Sequence, residues 1–163
     1  MRVAPDLGDG RIYAVEASPT CHALLDRNVR YNGFKNVISL HRGVWNEIST
    51  LELEPGYAQA NSLVSEVHTG ERTVTVLTIT IDGLVESQSI QRVDMISLTL
   101  NGAEAEALQG AEKTLADHQP RILLAGWYER DGKLIAEICR EILEPQGGRV
   151  FVGPRGDTLA TAT

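Results

Sequence analysis

The stretch VDMISLTLNGAEAEALQGAEKTL, residues 93–115, decides the fold. It begins with an apolar run at 95–100, interrupted only by Ser97 and Thr99, which is typical of a strand buried on both faces of a parallel sheet. A short Asn-Gly turn at 101–102 follows. The apolar residues then recur with the spacing of one buried helical stripe, at Ala107, Leu108, Ala111 and Leu115.

A strand that passes through a short turn into a helix is half of a βαβ unit. Ligands of open α/β sheets bind at the carboxyl ends of the strands, so we expect a binding crevice beside residues 99–102. The polar residues of the helix are predicted to face solvent, namely Glu104, Glu106, Gln109, Glu112 and Lys113.

Upstream of this unit, residues 11–17 are predicted to form a strand that ends at Glu16. An acidic residue at a strand end is well placed to accept hydrogen bonds from the two ribose hydroxyls of a nucleotide-like cofactor. A solvated or capping glutamate is the alternative. Ser18 and Pro19 are an N-cap and a first helical residue, and they predict a helix that runs to about Tyr31.

Residues 37–45 read as a further strand followed by a loop. Alternating segments at 49–54 and 72–81 predict the antiparallel strands of an inserted hairpin, and Asp82 is predicted to cap a short helix at 83–86. Downstream of the central unit we predict a strand at 121–127, a helix at 133–143, a second strand at 149–152 and a partial last strand at 158–163.

Several of these motifs, taken in order, resemble the FkbM-type, class I S-adenosylmethionine-dependent methyltransferases. They are GRIYAVEASP at 10–19, RNVRYNGFKNV at 27–37, Ser-Leu at 62–63, TIDGL at 80–84 and the Gly-Ala-Glu turn at 102–104. The resemblance implies a single domain over residues 1–163 with a doubly wound, mostly parallel Rossmann-like α/β sheet and an inserted antiparallel hairpin. It also implies the cofactor S-adenosyl-L-methionine and O-methylation of a small-molecule or sugar hydroxyl in the intact enzyme.

The resemblance also assigns candidate site residues. The residues assigned to cofactor binding are Glu16 and Ala17, at the ribose, and the loop residues Arg42, Gly43 and Val44, near the adenine. The residues assigned to the methyl acceptor are Thr99, Asn101 and Glu104, with Glu104 as a candidate general base. An exposed glutamate that complements the helix N-terminus is the alternative for Glu104.

Two departures from the family pattern bear on activity. The central strand usually ends in Asp-Val-Glu-Gly, whereas residues 99–102 read Thr-Leu-Asn-Gly, so both acidic side chains are replaced. Nothing before Gly10 matches the first strand and its glycine-rich loop, so we expect the first strand to be missing. Its absence leaves two strand edges unpaired, unless they pair with each other or in a homodimer.

Two interpretations stay open. The chain is an N-terminally truncated piece of a normal enzyme, or it is a degenerate, non-catalytic homologue that acts as a binding or interaction module. We favour a truncated piece of a divergent member. In either case we expect the isolated chain to bind S-adenosylmethionine weakly or not at all.

The composition excludes other classes. A formal net charge of −7 and the lack of a basic cluster argue against a nucleic-acid partner. No apolar run reaches the roughly 20 residues of a membrane span and no signal peptide is evident, so we expect a cytoplasmic protein without a membrane partner. The histidines and the cysteines Cys21 and Cys139 are scattered, which predicts no metal site and two reduced core cysteines.

Overall fold

The computed structural model describes residues 3–53, 73–153 and 157–162. Its elements, in chain order, are a 3-10 helix (Ala4–Asp6), β1 (Ile12–Glu16), α1 (Pro19–Tyr31), β2 (Val37–His41), β3 (Gly43–Val44), β4 (Thr50–Leu53), β5 (Val74–Ile79), α2 (Ile81–Ser87), β6 (Met95–Leu98), α3 (Glu104–Gln109), α4 (Glu112–His118), β7 (Arg121–Ala125), β8 (Glu129–Arg130), β9 (Lys133–Leu134), α5 (Ile135–Leu143), a second 3-10 helix (Glu144–Gln146), β10 (Gly148–Val152) and β11 (Asp157–Ala162). The Ser-Leu motif at 62–63 lies outside the described residues.

The strands confirm a mixed α/β fold with parallel pairs at its centre. β1 and β2 pair in parallel, and so do β6 and β7. β11 inserts antiparallel between β7 and β10, which gives the order β10-β11-β7-β6 and confirms the predicted last strand. In the part of the chain that is described, β1 and β6 belong to separate sheets. The expected single doubly wound sheet is thus divided where the first strand was predicted to be missing.

The inserted strands are antiparallel, as their alternation predicts. β4 pairs with β5 from Thr50 opposite Leu77 to Leu53 opposite Val74. The prediction of a loop through Gly43 and Val44 was wrong, because these two residues form β3 and pair in parallel with β5. Both residues are buried, and this packing against a distant strand is what extends the backbone there.

Helix α1 begins and ends where its local signals predict. The Ser18 side chain accepts a hydrogen bond from the Cys21 backbone N–H, and Pro19 occupies the first helical position. Asn32 follows the last helical residue, and Gly33 adopts a φ of 66°, a left-handed conformation that suits glycine.

The prediction that the central strand is buried on both faces was wrong. In β6, Ile96 and Leu98 are 9% and 5% exposed, but Met95 is 55% exposed and Ser97 also faces solvent. β7 alternates in the same way, with Ile122 and Leu124 buried and Leu123 exposed. In the described structure, therefore, only one face of this sheet packs against the main core.

The predicted continuous helix after β6 is instead two helices, α3 and α4. Gly110 lies between them, and a β-carbon at this position would collide with the backbone carbonyl oxygen of Trp45. The Gly110 carbonyl accepts a hydrogen bond from the Asp82 N–H at 2.9 Å. The helix is therefore interrupted where Gly110 packs closely against the Trp45 backbone. Helical periodicity does not reveal this contact, because Trp45 is distant in the sequence.

Asp82 caps a helix, but not the predicted one. Thr80 is the N-cap of α2, and its hydroxyl accepts from the Gly83 N–H at 2.9 Å. The Asp82 carboxylate instead accepts from the N–H groups of Lys113 and Thr114, at 3.0 and 2.8 Å, and from the Thr114 hydroxyl at 2.6 Å. Asp82 thus joins α2 to the first turn of α4.

One large core cluster joins most elements. It contains Leu98, Leu108, Ile122, Ile135 and Cys139 among its buried members. Part-buried residues pack against it, including Val15 of β1. A smaller cluster of Ala4, Val29 and Val37 lies beneath α1. Among the described helices, none is both long and apolar enough to cross a membrane.

We expect Asp82→Ala to lower the free energy of unfolding by about 1–2 kcal/mol, because three hydrogen bonds to the start of α4 are lost. The matched control is Asp94→Ala, whose exposed ion pair with Arg92 we expect to contribute about 0.5 kcal/mol or less. Urea unfolding followed by circular dichroism measures both changes. Equal destabilisation by the two variants would contradict the capping role of Asp82.

Candidate functional site

The carboxyl end of β1 carries the predicted ribose-binding residues. Glu16 is half-buried, and its Oε1 accepts a hydrogen bond from the Ser18 backbone N–H at 2.8 Å. Its backbone carbonyl accepts from the Arg42 N–H at 3.2 Å. Glu16 therefore has a local capping contact, as the alternative interpretation expected, and it also lies beside the segment assigned to the adenine.

The neighbouring residues are held by two histidines. The Nε2 atom of His41 lies 3.1 Å from the Ala17 carbonyl oxygen, and the imidazoles of His22 and His41 stack with centroids 5.1 Å apart. The exposed Arg42 side chain donates to the His41 carbonyl at 2.7 Å. Glu16, Ala17 and Arg42 are thus brought together at one end of the β1–β2 pair, whereas Gly43 and Val44 continue into the buried β3.

The second candidate region is the turn after β6, which we call the acceptor turn and define as Thr99–Gly102. Thr99 is exposed and Asn101 is half-buried. Asn101 and Gly102 both have positive φ, 52° and 104°. A left-handed conformation at a non-glycine residue costs about 1–2 kcal/mol, so the surrounding structure must hold this turn in place.

The buried side chain of Glu104 binds the backbone of the acceptor turn. Its Oε1 accepts from the Leu100 N–H at 2.7 Å and its Oε2 accepts from the Gly102 N–H at 3.0 Å. The prediction of a solvent-facing Glu104 was wrong, because the residue is 0% exposed. Burial raises the pKa of its carboxyl group, although hydrogen bonds from the backbone N–H groups of Leu100, Glu104 and Gly102 oppose that rise.

Arg130 holds the same turn from the side, and sequence reasoning did not identify it. Its Nη1 donates to the Gly102 carbonyl at 3.1 Å and forms an ion pair with Glu106 at 2.9 Å. Glu106 was also predicted to face solvent, but the side chains of Arg130 and Glu106 are only 18% and 15% exposed. The sole sequence signal is an arginine shortly after a strand end, which is too common to be diagnostic.

The thiol beneath this network is unreactive. Burial, reinforced by the charges of Glu104 and Glu106, raises the pKa of Cys139 to about 12. The thiol therefore stays protonated at neutral pH and behaves as a small apolar core group. Cys21 is half-buried.

The two candidate regions pack against the same core cluster, although the hydrogen-bonded strands that carry them belong to separate sheets. Val15 precedes Glu16 and packs against the main cluster, as does Leu100 of the acceptor turn. The half-buried carboxylate of Glu16 and the small Ala17 are the residues that could hold the ribose of a nucleoside. Within the described ranges, no three histidine, cysteine or acidic residues gather in a way that would hold a metal ion.

Comparison with known proteins gives two matches. The family model described as Methyltransferase FkbM domain matches residues 2–149. The crystal structure of Methyltransferase FkbM from Methylobacillus flagellatus KT matches with a TM-score of 0.54 and 18% sequence identity, over 94% of this chain and 36% of that one. The chain thus spans about a third of the length of that protein, and the likeness concerns the fold. No curated protein gives a significant match.

We expect Glu104→Gln to change how stability depends on pH. A carboxyl group with a raised folded-state pKa stabilises the fold below its unfolded value of 4.5, and this contribution is lost as pH rises through the folded value. Each unit of that rise is worth about 1.4 kcal/mol. The free energy of unfolding of the unmodified chain, relative to the variant, should therefore fall as pH rises above 4.5.

Urea unfolding at a series of pH values between acid and neutral measures this difference. Glu104→Met is the second variant, because it also lacks a titrating group but does not place an amide N–H against the backbone donors. A relative stability that rises with pH against both variants would contradict the raised pKa of Glu104.

Proposed function

The chain belongs to the FkbM methyltransferase domain family, and we propose that it forms an S-adenosyl-L-methionine-dependent O-methyltransferase site. The observation that supports this proposal is that the carboxyl ends of β1 and β6 pack against the same core cluster. Glu16 at the end of β1 and the acceptor turn at the end of β6 both adjoin residues of the main cluster. Such strand ends are where ligands bind in open α/β sheets.

The proposed cofactor supplies an electrophilic methyl group on a sulfonium. With that group bound, transfer of the methyl to an acceptor hydroxyl would release S-adenosylhomocysteine and a proton, and Thr99 and Asn101 would orient the acceptor. The protein accelerates such a displacement mainly by holding the acceptor in line. The residues of this chain therefore need to bind and orient more than to react.

We assign the nucleoside end to the β1 region. The Glu16 oxygen that does not accept from Ser18, Oε2, is the acceptor for a ribose hydroxyl. Ala17 gives the sugar room because its side chain is small. Arg42, exposed beside the Glu16 carbonyl, borders the adenine, while Gly43 and Val44 support that border from within β3.

We assign the acceptor to the turn after β6. The Thr99 hydroxyl is exposed and the Asn101 amide is half-buried, so both groups can orient a hydroxyl-bearing substrate. Glu104 is a positioning residue instead of the general base, because its two oxygens accept from Leu100 and Gly102 and the side chain is fully buried. Proton removal is then left to water or to a group outside this turn.

Titration with S-adenosylhomocysteine, followed by the backbone amide signals in NMR, tests the nucleoside assignment. We expect shifts at Glu16, Ala17 and Arg42 and an affinity weaker than micromolar. Weak binding is expected because β1 and β6 lie in separate sheets and the acidic residues of the family pattern are replaced at 99 and 101.

Glu16→Gln keeps the oxygen that caps Ser18 but removes the charge, so we expect it to weaken the binding about tenfold. The matched control is Glu47→Gln, an exposed glutamate in the loop before β4, which should leave the affinity unchanged. Absence of shifts at all three residues with millimolar ligand would sink the proposal. Micromolar affinity of the unmodified chain, measured by calorimetry, would contradict the expected weakness.

The strand edges also favour self-association. β1 and β6 each pair with a single strand in the described structure, and an edge that presents free N–H and C=O groups accepts a further strand. We infer that two copies of this chain pair through these edges. Light scattering after size-exclusion chromatography should give the mass of a dimer, and a concentration-independent monomer mass would rule the pairing out.

A further inference from the structure

The exposed indole of Trp127 lies at the same end of the sheet as the acceptor turn. β6 and β7 run parallel, with Leu98 opposite Leu124, so their carboxyl ends are adjacent. Trp127 follows the end of β7 by two residues and is 55% exposed. An aromatic side chain of this size usually contributes its area to a core or an interface, so its exposure beside the acceptor turn makes it a candidate ligand contact.

The backbone around Trp127 is firmly held. The carbonyl of Gly126 accepts from the Ala136 N–H at 3.0 Å, and that of Tyr128 accepts from the Ile135 N–H at 2.8 Å. Both donors belong to the first turn of α5. The indole therefore projects from a short segment that is anchored on each side, which keeps the entropy cost of ordering it on a ligand low.

Tyr128 supports the indole from one side. The two rings are tilted by 47° with centroids 5.1 Å apart, and Tyr128 packs against the main core cluster. Two residues further on, Arg130 binds the carbonyl of Gly102, which ties this segment to the acceptor turn. Two adjacent strand ends thus carry a flat apolar face, at Trp127 after β7, and a hydroxyl and an amide, at Thr99 and Asn101 after β6.

This combination matches the chemistry of a sugar. A pyranose ring presents a face of C–H groups that stacks on an indole, while its hydroxyls at the edge need polar partners. The charges favour a neutral sugar over a phosphorylated one, because Arg130 is committed to Glu106 and the chain carries a formal net charge of −7. Glu129 and Asp131, both exposed on this segment, add negative charge close by.

We propose that Trp127 is the stacking platform for a neutral saccharide, and that this saccharide carries the hydroxyl to be methylated. The assignment of the sugar as methyl acceptor rests on the proposed function. Binding of the sugar at Trp127 does not require the cofactor and is measured separately.

The test uses the indole N–H signals of the full chain in NMR. The chain has two tryptophans, and a Trp45→Phe variant identifies which signal belongs to Trp127. The probes are methyl glucopyranoside, methyl galactopyranoside and methyl rhamnopyranoside, with glycerol as a polyol that has no ring face. We expect at least one glycoside to shift the Trp127 signal saturably at millimolar concentration, and glycerol to give no saturable shift.

Trp127→Ala should weaken glycoside binding, read from the Thr99 and Asn101 amide signals, by about tenfold or more, and Trp127→Phe should retain part of it. The matched control is Phe151→Ala, because Phe151 is a similarly exposed aromatic residue on β10. No saturable shift with any glycoside, or an equal loss in the Phe151 variant, would overturn the assignment.

The two proposals fail in different ways. Trp127→Ala should leave the shifts caused by S-adenosylhomocysteine at Glu16 and Arg42 unchanged. S-adenosylhomocysteine binding without any glycoside binding overturns the Trp127 platform alone. Glycoside binding without any effect of S-adenosylhomocysteine overturns methyl transfer and supports Trp127 as a saccharide site.

Discussion

The buried carboxylate of Glu104 is the interaction on which the candidate site depends. Placing a carboxylate out of contact with water is costly unless its oxygens are hydrogen-bonded. Here both oxygens accept from backbone N–H groups of the acceptor turn, at 2.7 and 3.0 Å. The same contacts stabilise the positive φ of Asn101 and Gly102. The position of the Thr99 and Asn101 side chains is therefore tied to a group that solvent does not reach.

Arg130 extends this constraint to the next strand. It binds the carbonyl of Gly102 and the carboxylate of Glu106 with one nitrogen, Nη1. Because Arg130 lies on β8, it couples the turn after β6 to the segment after β7 that carries Trp127. Removal of Arg130 or of Glu106 would leave the other, largely buried charge unpaired. This lowers the stability of the fold more than the loss of a surface ion pair does. The two halves of the proposed acceptor site are thus held by one ionic network.

The division of the sheet affects the cofactor side in a different way. Glu16 is positioned by β1 and β2, whose ladder is separate from that of β6 and β7. The two sheets meet through side chains, with Val15 packed against the same cluster as Leu98. Side-chain packing aligns the strands less strictly than a shared hydrogen-bond ladder does. A ligand that spans Glu16 and the acceptor turn then has to contribute to their alignment, at a cost to its affinity.

Local chemistry made several parts of the fold predictable. The cap of α1 by Ser18 is a contact over three residues, and the alternation in β4 and β5 and the strand pattern at 158–163 are read within single segments, although these strands pair with distant ones. Glu16 and Ala17 lie at the end of β1 and Arg42 follows the end of the neighbouring β2, while their binding roles stay predictions. The solvent-facing assignment of Glu104 failed, because a polar residue in the first turn of a helix gives no sign that neighbouring segments cover it.

Apart from β3, β8, β9 and the break between α3 and α4, the sequence by itself thus determined the order of strands and helices, together with the family and the strand ends at which binding groups are expected. Tertiary structure alone decided that Glu104 is buried, that Arg130 reaches Gly102 and that Asp82 caps α4. The last two contacts join residues 28 and 32 positions apart. Helical and strand periodicity act over a few residues, whereas such pairs form only when packing of the core brings distant segments together.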